Sequence, residues 1–542
     1  MYFSWTEFPF IAAGDLTAAD RQAPVAIVGA GPVGLALGLG LARHGIRCVV
    51  LESRSTISKG SRALAMNRRS MQILDQLGVG AAVMEKALTW SAGWTFYGEA
   101  LVHEMNIASP PDEKHGQTNL QQCWMEQLLL DACEKNPNIE IRYRHEVTGL
   151  QADEDGVWLE VKTPSGDYPM QAGYVVGADG PRGITRRSVG LEYEGTSYSQ
   201  RFVINDIICR QPLPDGRRLF FSPPYLPGKT VLMHKAPFDM WRLDFQLQDD
   251  QDAEEEMRVD KVHQRIRAHF ELMGLKPDYE LVLTSVYKAN AISLPTYNKG
   301  RVLFAGDAAH QVPIFGGRGV NHGYADAHNL AWKLALVVKG IAGTDLLDTY
   351  TQERRGAILD TLAELTKTTL FITTPSPGIA LVREAVLSLS LGENFLNNLF
   401  DPYTSLPYEY RDSALNAAPD IDDVFEPGYA PGSLLPDVVL NNSGERLYDH
   451  FGLAFVVLTF VEDLANGDGQ GVSSGSCVAP AKFLNLPADG RLAKLLDAKV
   501  GTTYLIRPDN RVAARWRSFS DATVDAAVAR ASGRHSLMKE MA

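Results

Sequence analysis

VAIVGAGPVGLALGLGLARHGIRCVVLE, residues 25 to 52, decides the fold. Val25 to Val28 is a short apolar run suited to a buried parallel strand, and Gly29, Gly31 and Gly34 follow it with the spacing G-x-G-x-x-G. The first glycine permits the tight turn, the second lets a pyrophosphate approach the backbone, and the third lets the helix pack on the strand. The start of that helix, with Pro32 in it, offers free N–H groups and a positive dipole end to phosphates. A second strand, Arg47 to Leu51, ends at Glu52, whose carboxylate can accept from ribose hydroxyls. Strand, turn, helix, strand and acid make one βαβ dinucleotide unit.

No charged residue falls between Pro24 and Ala42, as in a membrane helix or a secretory signal. Five glycines, the internal Pro32 and the second strand beyond Arg43 and His44 fit an internal βαβ unit better. The residues before it lack a basic n-region and read as an extension rather than a targeting peptide.

The chain of 542 residues exceeds one compact core, so roughly three to four domains are expected. An apolar content of 45% is that of a globular protein, and a net charge of −13 leaves no basic excess for phosphate neutralisation and speaks against nucleic acid. Cys48, Cys123, Cys133, Cys209 and Cys477 are scattered and never form C-x-x-C, which argues against structural zinc, any other metal site and a disulfide framework. A reducing cytoplasm and no membrane association are therefore expected.

Further along, a polar loop carrying Arg62 leads into a helix with Met66, Met71, Ile73, Leu74 and Leu77 largely on one side. Trp90 to Ile107 alternates as a strand would, and the spacing predicts a helix over Gln122 to Glu134. Strands are expected over Ile139 to Leu150, Val157 to Lys162 and Tyr168 to Val176, the last running into Gly177, Asp179 and Gly180. From Tyr198 to Tyr287 the texture changes to alternating strands with one charged helix, Asp252 to Leu272, which suggests a separate antiparallel sheet. A second dense motif spans residues 301 to 340. A strand, Val302 to Ala305, ends in Gly306 and Asp307, and a loop with Pro313, Gly316, Gly317 and Gly319 opens a long amphipathic helix. Asp307 at a strand end can bind a ribityl or ribose hydroxyl, and the glycine loop before a helix start offers N–H groups to a flavin pyrimidine or to an anionic intermediate.

The three stretches GAGPVG…E, GADG and GDAAH…P…GG.G.N.G..DA.NL.WKLA, in this order, resemble the group A flavin-dependent aromatic hydroxylases, the family of p-hydroxybenzoate hydroxylase and phenol hydroxylase. The resemblance runs from Val25 to about Arg355 and implies an α/β fold: a Rossmann-like FAD-binding domain with an inserted antiparallel β-sheet substrate domain. The tail, with LIRPDNRVAARW, resembles the thioredoxin-like C-terminal domain of larger members, here without C-x-x-C. The implied division is an extension at 1–22, an FAD-binding domain at 23–90, 115–195 and 288–350, a substrate domain at 91–114 and 196–287, a helical segment and linker at 351–425, and the thioredoxin-like domain at 426–542.

Carried over by residue, the resemblance puts Gly29, Gly31, Pro32, Gly34 and Glu52 on the ADP half of FAD, Arg62 and Gln122 on the cofactor, and Asp179 in a segment associated with both FAD and NAD(P)H. Gly306 and Asp307 would hold the ribityl chain, with Pro313, Gly317, Gly319, Val320 and Asn321 bordering the isoalloxazine. Ile314, Arg318 and His322 depart from the usual second proline, glutamine and small hydroxyl residue.

The implied reaction is reduction of FAD by NADH or NADPH, addition of O₂ to give a C4a-hydroperoxyflavin, and hydroxylation of a ring carbon ortho or para to a phenol. A phenol of pKa near 10 needs a base or cation beside it. Asp206, His234, Arg242 and Tyr287 on the substrate-side strands are candidates, with Arg242 preferred because its guanidinium could also pair with a substrate carboxylate. R-L-D-F at Arg242, VY.AN at Val286 and LLDTYTQERR at Leu346 resemble the 3-(3-hydroxyphenyl)propionate hydroxylases within the family. The same cofactor motifs would also serve a Baeyer–Villiger or epoxidising monooxygenase of a polyketide-type substrate, or a non-catalytic flavoprotein. WSAGW at Trp90 does not match the lysine-bearing element of a halogenase. The expected partners are a small phenolic substrate and O₂, and a homodimer is one oligomeric state that the sequence allows.

Overall fold

The computed structural model describes residues 3–60, 63–107, 113–211, 213–276, 278–313, 315, 317–393, 396, 407–418, 424–426, 428–462 and 479–534. Arg62, Ile314, Gly316 and Cys477 of the expectations above lie outside them. The chain begins a nucleotide-type layer with β1 (Gln22–Val28), α1 (Pro32–Arg43) and β2 (Cys48–Glu52). It leaves to lay down a hairpin, β3 (Ala92–Tyr97) and β4 (Ala100–Asn106), and returns with β5 (Ile139–Tyr143) and β6 (Tyr168–Gly177). A second excursion makes β7 (Glu194–Ile208), β8 (Arg217–Phe221), β9 (Thr230–Lys235), β10 (Met240–Gln246), α2 (Val259–Leu272) and β11 (Glu280–Ser293). The chain then re-enters with β12 (Val302–Phe304), α3 (Gly319–Val338) and the long α4 (Asp348–Thr373).

The first sheet has the parallel order β12-β6-β1-β2-β5, with Val25 opposite Cys48 and Tyr174, and Val28 opposite Leu51 and Gly177. Helices cover this sheet, so its strands read as continuous apolar runs, and Val25, Ala26 and Ile27 are fully buried. The second sheet, β11-β7-β10-β9-β8-β3-β4, is antiparallel except where β3 pairs with β8. It has two buried faces. Trp241, Leu243 and Phe245 pack with Val262, Ile266 and Phe270 of α2. The alternate residues look towards the first unit, where Phe202, Leu219, Phe221 and Leu232 meet Phe315, Phe371 and Ile372.

The α/β architecture with an inserted antiparallel sheet is the one expected. Local differences have local causes. Trp90–Ile107 is a hairpin, because Gly98 at φ +59 reverses the chain between β3 and β4. Ile139–Leu150 is two strands, broken at Arg144 with φ +62. The charged segment before Leu272 is two helices, Ala253–Glu256 and α2. The paired strands β7 and β11 run from Glu194 to Ser293, two residues more at the start and six more at the end than 196–287, because they pair along almost their whole length.

A third sheet near the C-terminus joins β13 (Phe455–Val461), β14 (Ala481–Pro487), β15 (Thr503–Ile506) and β16 (Val512–Trp516) in the order β14-β13-β15-β16. β13 and β14 are parallel and the other pairs antiparallel, the strand arrangement of a thioredoxin-like unit. Its loop Arg507–Asn510 is buried against α3 and α4. Glu353 Oε1 accepts from Arg507 (2.5 Å) and Ser413 Oγ (2.5 Å), and Oε2 accepts from Lys333 (2.7 Å), Asn329 (2.8 Å) and Arg507 (2.8 Å). Asp509 accepts from Arg507 Nε at 2.9 Å and from Asn329 at 3.0 Å. The N-terminal extension is also docked. Phe8 stacks on Tyr143 at 4.2 Å, Phe3 meets Trp124 edge-on, the Phe8 N–H donates to Ser55 O and the Trp5 indole donates to Ser58 O.

Candidate active site

The glycine turn follows β1 at the C-terminal edge of the parallel sheet. At Gly29, φ +106, a Cβ would lie 2.5 Å from the Ala178 carbonyl, and at Gly34 it would lie 2.0 Å from the Gly29 carbonyl. Gly31 differs: a Cβ there meets nothing within 4 Å, so the turn is open to a group arriving from outside. α1 and α3 both begin without a side-chain cap, as do α2, α4 and the helix Gln122–Glu134. Val33 in the first turn of α1 sits against Gly306 and Gly323, which makes the α1 and α3 starts neighbours. Two long helices with orphan N–H groups converging on an open glycine turn fit the FAD that the motifs imply.

Glu52 is buried at the end of β2 and ties this turn to the next loop, accepting from Ala30 N (2.8 Å) and from Arg54 N, Nε and Nη2 (each 2.9 Å). Burial would raise its pKa, but the Arg54 guanidinium outweighs that and holds it low. Asp307 stands partly exposed after β12, and its carbonyl accepts from the Tyr193 hydroxyl at 2.8 Å. Gln122 opens its helix, accepting from Ala63 N at 3.2 Å and donating to Glu126 at 2.7 Å. Asp179 accepts from Thr185 N (3.0 Å) and Oγ1 (2.8 Å), so its carboxylate holds the short helix Ile184–Ser188. Asn321 clamps the start of α3 to the opposite segment: Oδ1 accepts from Asn67 N (3.0 Å) and Ser70 Oγ (2.6 Å), and Nδ2 donates to Ala65 O (3.1 Å). Val320 packs beside the core, and Gly317 and Gly319 lead into the same helix start.

Beyond this helix start opens a cleft with about 1470 Å³ of atom-free space counted out to its mouth. Leu219 and Leu232 of the second sheet, with Phe315, form an apolar wall, and Arg217, Arg318 and His322 add polar groups. The far end is lined by Arg69, Tyr408, Tyr410 and Arg511. His322 is held by Arg354 Nη2 at its Nδ1 (3.2 Å) and by Thr361 Oγ1 at its Nε2 (3.1 Å). Arginine only donates, so Nδ1 accepts and the proton is assigned to Nε2. Burial, helped by the Arg354 charge, keeps this imidazole neutral, with a pKa well below the usual value. Arg354 also donates to Asp326 (2.8 Å) and Tyr410 (3.0 Å). Burial pushes Asp326 upward, but the charges and hydrogen bonds of His310 and Arg354 bring it down to about 2.

The candidate substrate-side residues are elsewhere. Arg242 and Asp206 form a bidentate pair at 2.8 and 2.9 Å, buried on the inner face of the second sheet. Neither is among the residues lining the cleft. His234 lies opposite Arg242 in register, and burial, with Arg217 and Arg242 adding to it, lowers its pKa to about 3. The Tyr287 hydroxyl donates to Val312 O at 3.1 Å, pinning the sheet to the segment before Pro313. Sequence reading missed Arg69, Arg511 and Tyr410, which three distant segments bring together. One signal was available: Arg68 and Arg69 occupy the first turn of their helix, where cations oppose the dipole. It also missed Asp244, two residues from Arg242, whose Oδ1 is buried without a hydrogen-bond partner. Burial pushes its pKa up to about 7, Arg242 opposing and Asp206 adding.

A family model described as an FAD binding domain matches residues 22–364. A 3-(3-hydroxy-phenyl)propionate/3-hydroxycinnamic acid hydroxylase of Mycolicibacterium smegmatis is 32% identical over 337 residues, 61% of this chain and 58% of the relative. Its counterpart from Paraburkholderia xenovorans is 30% identical over 353 residues, 64% of this chain and 55% of that protein. The matches therefore span somewhat over half the length of these relatives. Among solved structures, a ternary complex of aklavinone-11 hydroxylase with FAD and aklavinone superposes with a TM-score of 0.77 at 25% identity, covering 94% of this chain and 99% of that one. The flavin-dependent monooxygenase PieE, in complex with FAD and substrate, shares the fold with a TM-score of 0.82 at 24% identity, covering 95% and 99%.

Proposed function

We propose, from the premise that this chain belongs to the FAD binding domain family, that it is an FAD-dependent, NAD(P)H-consuming monooxygenase that hydroxylates a phenolic ring. One observation carries the reading: the apolar wall of Leu219, Leu232 and Phe315 stands in one cleft with the residues of the uncapped α3 start, where the motifs place the flavin ring. When bound, the cofactor supplies the redox chemistry, taking a hydride from NADH or NADPH and delivering one atom of O₂ to the ring. The chain's own residues do the rest. The apolar wall excludes water from the ring. The first-turn N–H groups of α3 stabilise negative charge at the polar edge of the cofactor. Arg217 is the sheet cation that lines the cleft, and a cation beside a phenol favours its ionised form, whereas Arg242 is committed to Asp206. His322, neutral and fixed by Arg354 and Thr361, shapes the floor without competing for the phenolic proton.

Supported by the names of the relatives, the substrate class is 3-(3-hydroxyphenyl)propionate or a related phenol. The experiment is stopped-flow reduction of the purified flavoprotein by NADH and by NADPH against a panel of phenols, followed by product analysis. Faster reduction with a ring-hydroxylated product is the expected result. Insertion of oxygen beside a ketone would replace it with the Baeyer–Villiger reading, and bound flavin with no phenol effect would leave a non-catalytic flavoprotein.

A further inference from the structure

Arg69 and Arg511 line the far end of the cleft, and none of Gly29, Gly31, Glu52 or Asp307 does. Arg69 donates through Nη2 to the Asp509 carbonyl at 3.1 Å and to His328 Nδ1 at 3.2 Å, while its Nη1 is buried with no partner. Arg511 donates to the Gly432 carbonyl at 2.7 Å, and its guanidinium carbon lies over the Tyr410 ring, 3.5 Å from its centre. Among the described residues neither guanidinium has a carboxylate in ion-pair contact.

Of the acids lining the cleft, Asp360 is exposed beside Tyr408, and Asp509 and Glu364 are engaged by other cations. Both Asp509 oxygens accept from Arg507, and Glu364 lies 3.7 Å from Arg318. His328 brings no third charge, since it accepts from Arg69 at Nδ1 and donates from Nε2 to Gln76 Oε1 at 2.9 Å. The two guanidiniums are near enough that Arg511, after burial, is among the charges that lower the Arg69 pKa. Two like charges at one partly dry wall cost free energy unless an anion comes between them.

Resting on the hydroxylase reading, we propose that this end of the cleft is an anion subsite, built jointly by the helix Arg68–Gln76 and the C-terminal unit, that takes a carboxylate carried on the tail of the aromatic substrate. The ring then lies against Leu219 and Leu232, and the acid reaches away from the second sheet towards Arg69 and Arg511. The C-terminal unit is thereby given a role in choosing the substrate.

The test is isothermal calorimetry on the holoprotein with a homologous series of 3-hydroxyphenylalkanoates, from the propionate to the octanoate, each beside its primary amide. The expected result is that the acid of at least one chain length binds about tenfold more tightly than its amide, as a charge-assisted pair of contacts allows. Arg69→Met and Arg511→Met should bring that ratio close to one while leaving amide binding unchanged, and Arg511→Lys should keep most of it. Equal binding of acid and amide throughout, binding by no member, or a preference surviving both methionine variants overturns the proposal. Competition by NADPH or inorganic phosphate at this site, without acid preference, assigns the arginines to the dinucleotide and overturns the substrate assignment. Calorimetry needs no turnover: the preference can stand where hydroxylation fails, and hydroxylation can stand where the preference is absent.

Discussion

Two buried clusters in this molecule each hold two carboxylates and stand in opposite states of satisfaction. At the junction of α3, α4 and the Arg507–Asn510 loop, Lys333 and Arg507 face Glu353 and Asp509, and every carboxylate oxygen accepts at least one hydrogen bond. On the inner face of the second sheet, Arg242 and Asp206 satisfy each other, and Asp244 is left with a buried oxygen that nothing meets. The first cluster is neutral by pairing. The second is neutral only if Asp244 keeps its proton. A filled network locks two units together, while an incomplete one makes the fold depend on pH.

The largest expected effect comes from breaking the filled cluster. Arg507→Met leaves Glu353 and Asp509 buried with only part of their compensation, and should cost about 3–5 kcal/mol in urea unfolding. A loss below about 1 kcal/mol would mean that water reaches this junction. Next is Asp244→Asn. The folded pKa of Asp244 is raised to about 7 from 3.8, so its contribution to stability is whole below the unfolded pKa and is lost as pH rises through about 7. The asparagine variant should escape that loss and gain on the order of 2 kcal/mol over the parent at high pH, with no such gain below about pH 4. A gap that does not change with pH would show that Asp244 titrates with the same pKa in the folded and unfolded chain.

Asp206→Asn sharpens the contrast from the other side. It removes a neighbouring negative charge and releases Arg242, so Asp244 should titrate at a lower pH than in the parent, an effect on the order of 1 kcal/mol. Carboxyl carbon NMR would follow it, and an unmoved Asp244 would show that Asp206 is screened from it. The smallest effect belongs to a surface pair outside both clusters. Arg258→Ala, which releases Glu255 and Asp260, should leave the urea midpoint where it was.

The same contrast separates what was legible in the sequence from what was not. The glycine turn, Glu52 and the Gly306–Asn321 segment are local patterns, with turn, helix start and acid a few residues apart. A short window therefore contains the whole physical argument. Glu353 and Arg507 are 154 residues apart, and nothing near either names the other. Arg242 could be read as a cation awaiting a substrate because its cross-strand partner lies 36 residues away. Both faces of β10 are covered, and Gln246 is consumed by the Thr373 carbonyl at 2.8 Å. The far end of the cleft was unreadable for the same reason, since Arg69, Tyr410 and Arg511 meet only in the folded chain.

The docked N-terminal arm bears on the lifetime of a bound cofactor rather than on its affinity. Phe8 bonds to Ser55 and Trp5 to Ser58, and Arg54 between them and Glu52 holds that carboxylate. The loop after Glu52 is held by both aromatic anchors and by Glu126, which accepts from Ser58 N (2.8 Å) and Oγ (2.7 Å). Departure of a dinucleotide bound at the glycine turn would then couple to the peeling of a segment outside Gly29, Gly31 and Gly34. A slow exchange rate can thus be set from outside the pocket and tuned by the hydrophobicity of two side chains.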